Sequence, residues 1–156
     1  MSAKARFLQK LQESQIRNGI PENKSQADIT EFRKQMSQHQ ETMEAWLTDT
    51  GIRAESTTVS LVELLAGGRA FSIPGIHLSY ENRKVKFTPV FLYGQGVTGC
   101  VEVTLCTDNN VTPLCRMFMR SAESTDWTWS PSGMATGYRR EFCEDAFYDM
   151  VEGLLP

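Results

Sequence analysis

Apolar side chains change their spacing once along this chain, near Ala54, and no other feature restricts its possible folds as much. Upstream, Ile29, Phe32, Met36, Met43 and Trp46 recur at steps of three and four, with His39 filling the one interrupted position. That spacing lines one side of an α-helix, whose turn takes about 3.6 residues. Downstream, Ile76, Leu78 and Tyr80 alternate with His77, Ser79 and Glu81, while Val85, Phe87, Phe91 and Tyr93 alternate with Lys86, Thr88, Val90 and Leu92. Period two marks a strand with one buried face. Helices gathered ahead of an antiparallel sheet make the expected class α+β.

Residues 1–51 read as a helical hairpin. Phe7, Leu8 and Leu11 share a face over residues 3–18, and Gly19-Ile20-Pro21 supplies a stop. Ser25 or Asn23 caps the second helix, which runs to about Thr48 and ends at Asp49-Thr50-Gly51. A DNA-reading version would carry a basic second helix, whereas this one is balanced in charge and rich in Gln and Ser.

Residues 54–130 read as an antiparallel meander of about five or six strands. A two-residue turn at Asn82-Arg83 pairs Tyr80 with Val85, Leu78 with Phe87 and Ile76 with Pro89, so every large apolar residue of both strands shares a face. Further strands span residues 98–107, with Val101, Val103 and Leu105 inward, and 111–121, with Cys115, Met117 and Met119 as the favoured inner side. Pro89 and Pro113 remove ladder donors and predict bulges. A strand within residues 57–64 opens the meander, and Phe71 and Ile73 suggest another short one. Trp127 and Trp129 close it after a polar turn at Glu123-Ser124-Thr125, and Ser130-Pro131-Ser132-Gly133 breaks the sheet.

Residues 137–155 then read as an amphipathic helix through Phe142, Cys143, Ala146, Phe147, Met150, Val151 and Leu154. Its wide apolar face is expected to pack on one face of the sheet. The second helix, at about 37 Å, outreaches strands of six or seven residues at roughly 20–23 Å and is expected to overhang them.

One core of this kind is within reach of 156 residues, 40% of them hydrophobic and 22% charged. No apolar run approaches the ~18 residues of a membrane span, and the start MSAKARFLQKLQESQ lacks the apolar stretch of a secretory signal, so a cytoplasmic location is expected. Cys100, Cys106, Cys115 and Cys143 include no C-x-x-C pair and read as free thiols. The net charge of -3 arises within residues 136–156, where Arg139 and Arg140 face Glu141, Glu144, Asp145, Asp149 and Glu152. Such a balance lacks the basic bias of a duplex DNA binder.

No catalytic signature stands out, and no cofactor or metal is implied. His39 sits on the helical seam, where a polar residue sets register, and His77 lies on the wet face of its strand. Cys106 shares that face with Lys84 and Lys86, whose charges would favour a thiolate, which keeps a cysteine-dependent enzyme as one alternative. Gly94-x-Gly96-x-x-Gly99 has the dinucleotide spacing but joins two antiparallel strands instead of opening a helix. Lys84, Lys86, Arg116, Phe118 and Arg120 could share the outer sheet face, the basic and aromatic mix on which single-stranded nucleic acid stacks; Glu81 and Glu102 dilute it.

The leading expectation is a non-enzymatic interaction protein: an adaptor, inhibitor, immunity protein or secretion-type chaperone. Its contact surface would be the seam of Ile29, Phe32, Met36, His39, Met43 and Trp46, since flexible methionines adapt well to a partner surface. The partner would be another protein or a second copy of this chain.

Overall fold

The computed structural model describes residues 2–18, 22–94, 96–121, 125–131 and 139–155. Helix α1 (Ala3–Asn18) starts under the Ser2 hydroxyl, which accepts the Ala5 N–H at 3.1 Å. Helix α2 (Glu22–Trp46) follows. Its buried positions are Ser25, Asp28, Ile29, Phe32, Met36, His39 and Met43, with Leu47 just beyond, so the three-and-four step runs its whole length. Asn23 and Ser25 therefore both lie inside the helix, and neither stands at its cap. Asp49 and Gly51 adopt left-handed backbone and end the helical segment where expected.

Seven strands follow in one antiparallel meander: β1 (Arg53–Val62), β2 (Ala70–Tyr80), β3 (Arg83–Gly94), β4 (Val97–Cys106), β5 (Val111–Ser121), β6 (Thr128–Pro131) and β7 (Arg140–Glu141). Their spatial order is their order along the chain. The count exceeds five or six because a seventh strand, β7, pairs with β6 where helix was expected. Phe71 and Ile73 make no separate strand; they belong to β2, which continues through Pro74. The terminal helix is correspondingly shorter than residues 137–155: α3 covers Glu144–Val151 and passes into a 3-10 turn at Glu152–Leu154.

The β2–β3 turn is Glu81-Asn82, one residue earlier than expected, with Tyr80 opposite Arg83, Leu78 opposite Val85 and Ile76 opposite Phe87. Each strand residue thus meets a partner two positions from the expected one. A shift of two preserves the faces, so Ile76, Leu78, Val85 and Phe87 are all buried together. Glu81 carries the positive φ of the turn, and the Asn82 side-chain amide donates to both carboxylate oxygens of Asp108 in the β4–β5 turn at 3.0 and 2.9 Å. Pro89 and Pro113 both stand at register shifts, as their missing donors require.

The sheet bends at Gly75. Strand β2 pairs β1 along its full length but pairs β3 only from Ile76 to Tyr80. Beyond Gly75 the β1–β2 ribbon leaves β3 and closes over α2, where Arg33 Nε donates to the Ser72 carbonyl at 2.8 Å. Glycine is needed at the bend because a Cβ would lie 2.7 Å from Thr57 Oγ1 and 3.2 Å from the Phe87 carbonyl oxygen.

One cluster of buried side chains joins α2, the inner sheet face and α3. The expected division of labour between the helices is reversed: α2 covers the sheet and α3 caps one end of it. Strand length explains the reversal, since β2 to β5 have 10 to 12 residues each. Strands of that length span roughly 33–40 Å, which matches the ~37 Å of α2, whereas the single short helix α3 covers only ~12 Å. The expected stop at Gly19-Ile20-Pro21 and the turn through Glu123 and Ser124 lie outside the described residues, as does the Ser132-Gly133 half of the expected break. Ser130 and Pro131 do not break the sheet but pair with Arg116 and Cys115 as the end of β6.

Candidate functional site

The six seam residues are brought together as a row, but the row is turned inward. Ile29, Phe32, Met36, His39 and Met43 are at most 6% exposed, and Trp46 is half-buried against Phe142 and Phe147, with ring centroids 6.0 and 5.1 Å away. These side chains are core of this chain, not a surface open to another. The physical reason is the strand length given above, which leaves no part of the seam overhanging.

His39 is held in an aromatic box. It stacks on Trp127 at 4.6 Å with planes 16° from parallel, meets Phe142 at 4.8 Å, and faces the Phe87 ring edge-on at 6.4 Å. Burial lowers its pKa to about 4, so the ring is neutral near pH 7, and Nε2 has no hydrogen-bond partner among the described residues. An imidazole wedged between rings this way packs as an aromatic side chain.

A second polar group at the opposite end of α2 was not among the sequence candidates. Asp28 is buried, and its two carboxylate oxygens are both occupied: the Tyr93 hydroxyl donates to Oδ2 and Arg120 Nη2 donates to Oδ1 at 2.7 Å. Burial first, then the hydrogen bond to Asp28, raise the pKa of Tyr93. The backbone N–H of Tyr93 in turn donates to Glu63 Oε2 at 3.3 Å. The signal was available in the sequence, because Ser25 and Asp28 continue the seam's three-and-four step toward the N-terminus. With both oxygens satisfied, Asp28 ties α2 to β3 and β5.

The same pairing removes Arg120 from the outer sheet face. On that face Lys84 lies across from Cys106 and Ser79, Lys86 from His77 and Thr104, and Arg116 from Glu102, with which it pairs at 3.5 Å. Phe118 is not an open stacking platform. It is buried with Val97 and Cys100 against Val90 and Phe91, and the Arg139 guanidinium lies 5.6 Å from its ring centroid. Burial, then Lys86 and Lys84, lower the pKa of His77. Cys106 is half-buried beside Lys84 as expected; Cys100 and Cys115 are buried, which pushes each thiol up to about 12. Among the described residues no three His, Cys, Asp or Glu side chains converge to hold a metal ion, and no helix is long and apolar enough to cross a membrane.

Among the described residues, exposed large apolar side chains lie at the β1–β2 connection (Val62, Leu64, Leu65), at the start of β5 (Val111) and on the two end helices, where they stand beside charged rows. Residues 2–10 are exposed throughout, and within α1 Phe7 is 64% and Leu8 50% exposed beside Lys4, Arg6 and Lys10. In α3 the outward positions are Glu144, Asp145, Tyr148 and Asp149, and exposed Glu152 and Leu155 follow. Tyr148 donates its hydroxyl to the Trp46 carbonyl at 2.7 Å, which fixes α3 at the C-terminal end of α2. Comparison of the chain with protein-family models, with curated proteins and with solved structures finds no match to any of them.

Proposed function

We infer that the protein is a non-enzymatic interaction module that holds another protein, and that its contact element is α1 in place of the α2 seam. The observation that carries this reading is the exposure of Phe7 and Leu8 on a helix whose described side chains all face solvent. A helix of 16 residues is marginal in water on its own, because nucleation is costly and its stability normally comes from packing an apolar face. An apolar pair flanked by cations, on such a helix, has the make-up of a helix that docks in a partner's groove. The Met36 and Met43 side chains, which carried the expectation at the level of sequence, serve the core and leave α1 as the spare amphipathic element.

The test is recovery of a host protein by the full chain and by its Phe7→Asp, Leu8→Asp double variant. Both sites are exposed, so the variant should melt within about 1 °C of the parent chain, given the small effect of surface changes on stability. Loss of the recovered protein by a normally folded variant is the expected result. Undiminished recovery would move the contact away from α1.

A further inference from the structure

The two exposed helical surfaces are complementary in charge. Residues 1–12 contain Lys4, Arg6 and Lys10 and no carboxylate, while the outward side of α3 and its 3-10 extension presents Asp145, Asp149 and Glu152 beside Glu144. Arg6 and Lys10 are four residues apart, as are Asp145 and Asp149. On a helix that interval is about 6 Å, so the cations of one helix can meet the carboxylates of the other in step. Each charged row also borders exposed apolar groups: Phe7 and Leu8 on α1, and Tyr148 and Leu155 on the acidic side, at 40% and 52% exposure.

These surfaces cannot satisfy each other within one chain while α1 stays helical. The α1 segment joins the N-terminal end of α2, whereas Tyr148 anchors α3 at Trp46, the opposite end. Arg6 and Lys10 lie 12 and 8 residues before the last residue of α1 (18 − 6 and 18 − 10). Those separations are ~18 and ~12 Å of helix, well short of the length of α2. Folded back along α2, the two cations reach about halfway along its ~37 Å.

Resting on the reading of α1 as the contact element, we propose that its partner is a second copy of this chain: α1 of each protomer lies on the acidic row of α3 in the other, giving a two-fold dimer with two identical contacts. Reciprocal exchange of this kind closes the symmetry and leaves neither helix surface spare. An anionic membrane or a nucleic acid offers the cations of α1 the same sign of charge but meets repulsion from the acidic C-terminal helix and the net charge of -3.

Sedimentation of the full chain at low and moderate salt tests this, using two charge-reversed variants. One carries Arg6→Glu with Lys10→Glu, which suits the N-terminal half of a helix; the other carries Asp149→Lys with Glu152→Lys, which suits a C-terminal end. The parent chain is expected to dimerise, more weakly as salt rises, and each variant alone to dimerise at least about tenfold more weakly. An equimolar mixture of the two variants is expected to restore the dimer, because each reversed surface then meets its reversed counterpart. A parent chain that is monomeric at every concentration overturns the proposal, as does a dimer indifferent to both reversals. If a monomeric parent chain still loses a host protein on Phe7→Asp, Leu8→Asp substitution, only the identity of the partner falls; if nothing is lost, the interaction reading falls too. Binding of a monomeric parent chain to phosphatidylserine vesicles or to single-stranded oligonucleotide would also overturn it and give α1 a different occupant.

Discussion

His39 titrates near 4 in the folded protein, against 6.5 for an unperturbed histidine, because its ring is buried between Trp127 and Phe142. Between those two values the unfolded chain holds a proton that the folded chain does not. Stability from this residue is therefore complete above about pH 6.5 and is lost as the pH falls toward 4, by about 3 kcal/mol in all. Urea titrations at pH 7 and pH 4.5 should show most of that loss in the parent chain, and a clearly smaller one in His39→Phe, which keeps a ring in the box but cannot charge. Equal losses in both proteins would mean that Nε2 finds solvent or a partner on protonation. Spacing placed His39 on the seam; its surroundings came from Trp127 and Phe142, which no local pattern connects to it. Asp28 was legible in the same limited sense. Its position on the stripe was readable, but Tyr93 and Arg120 are 65 and 92 residues away along the chain.

Among the elements, those set by local chemistry followed the sequence closely. The α1 bounds, the end of α2, the β5 bounds and the inward side of β4 agree, because each depends on periodicity and on nearby stop signals. The β2–β3 hairpin shows the limit of such reasoning. Two registers two residues apart bury the same face, and the observed one comes with Asn82 reaching Asp108, a contact to a different hairpin that local pattern does not reveal. The roles of α2 and α3 differ from expectation because β2 runs from Ala70 to Tyr80 and β3 from Arg83 to Gly94, beyond their alternating stretches, which gives the sheet the length of α2. That correction changes what the methionines do. Met36→Asp with Met43→Asp would place two unpaired carboxylates in a dry core, each costing several kcal/mol, in a chain whose whole stability is about 5–15 kcal/mol. Circular dichroism should show no cooperative thermal transition for this double variant. A sharp transition near that of the parent chain would contradict the burial of the seam.

At the scale of the whole molecule, α2 sits within a sheet that bends at Gly75 so that the β1–β2 ribbon closes on one side of it. The candidate contact surface lies outside this assembly, on α1 and on the outward side of α3, where the sequence supplied charge and amphipathicity but no indication of which helix would be spare. Spareness is decided only after the core has been filled. The link from Asp28 to Tyr93 and Arg120 has a bearing on time as well as on stability. During synthesis α2 leaves the ribosome before any strand exists, yet the group that fastens its second turn waits for β5, 92 residues later. Loop closure over such a distance is slow compared with helix growth, so the apolar side of α2 is formed early and guarded late. Asp28→Asn should accordingly speed unfolding several-fold and leave the refolding rate nearly unchanged in stopped-flow measurements, as expected of a contact made after the transition state. A matching drop in the refolding rate would instead make this link part of the nucleus, with α2 chaperoned by its own sheet from the outset.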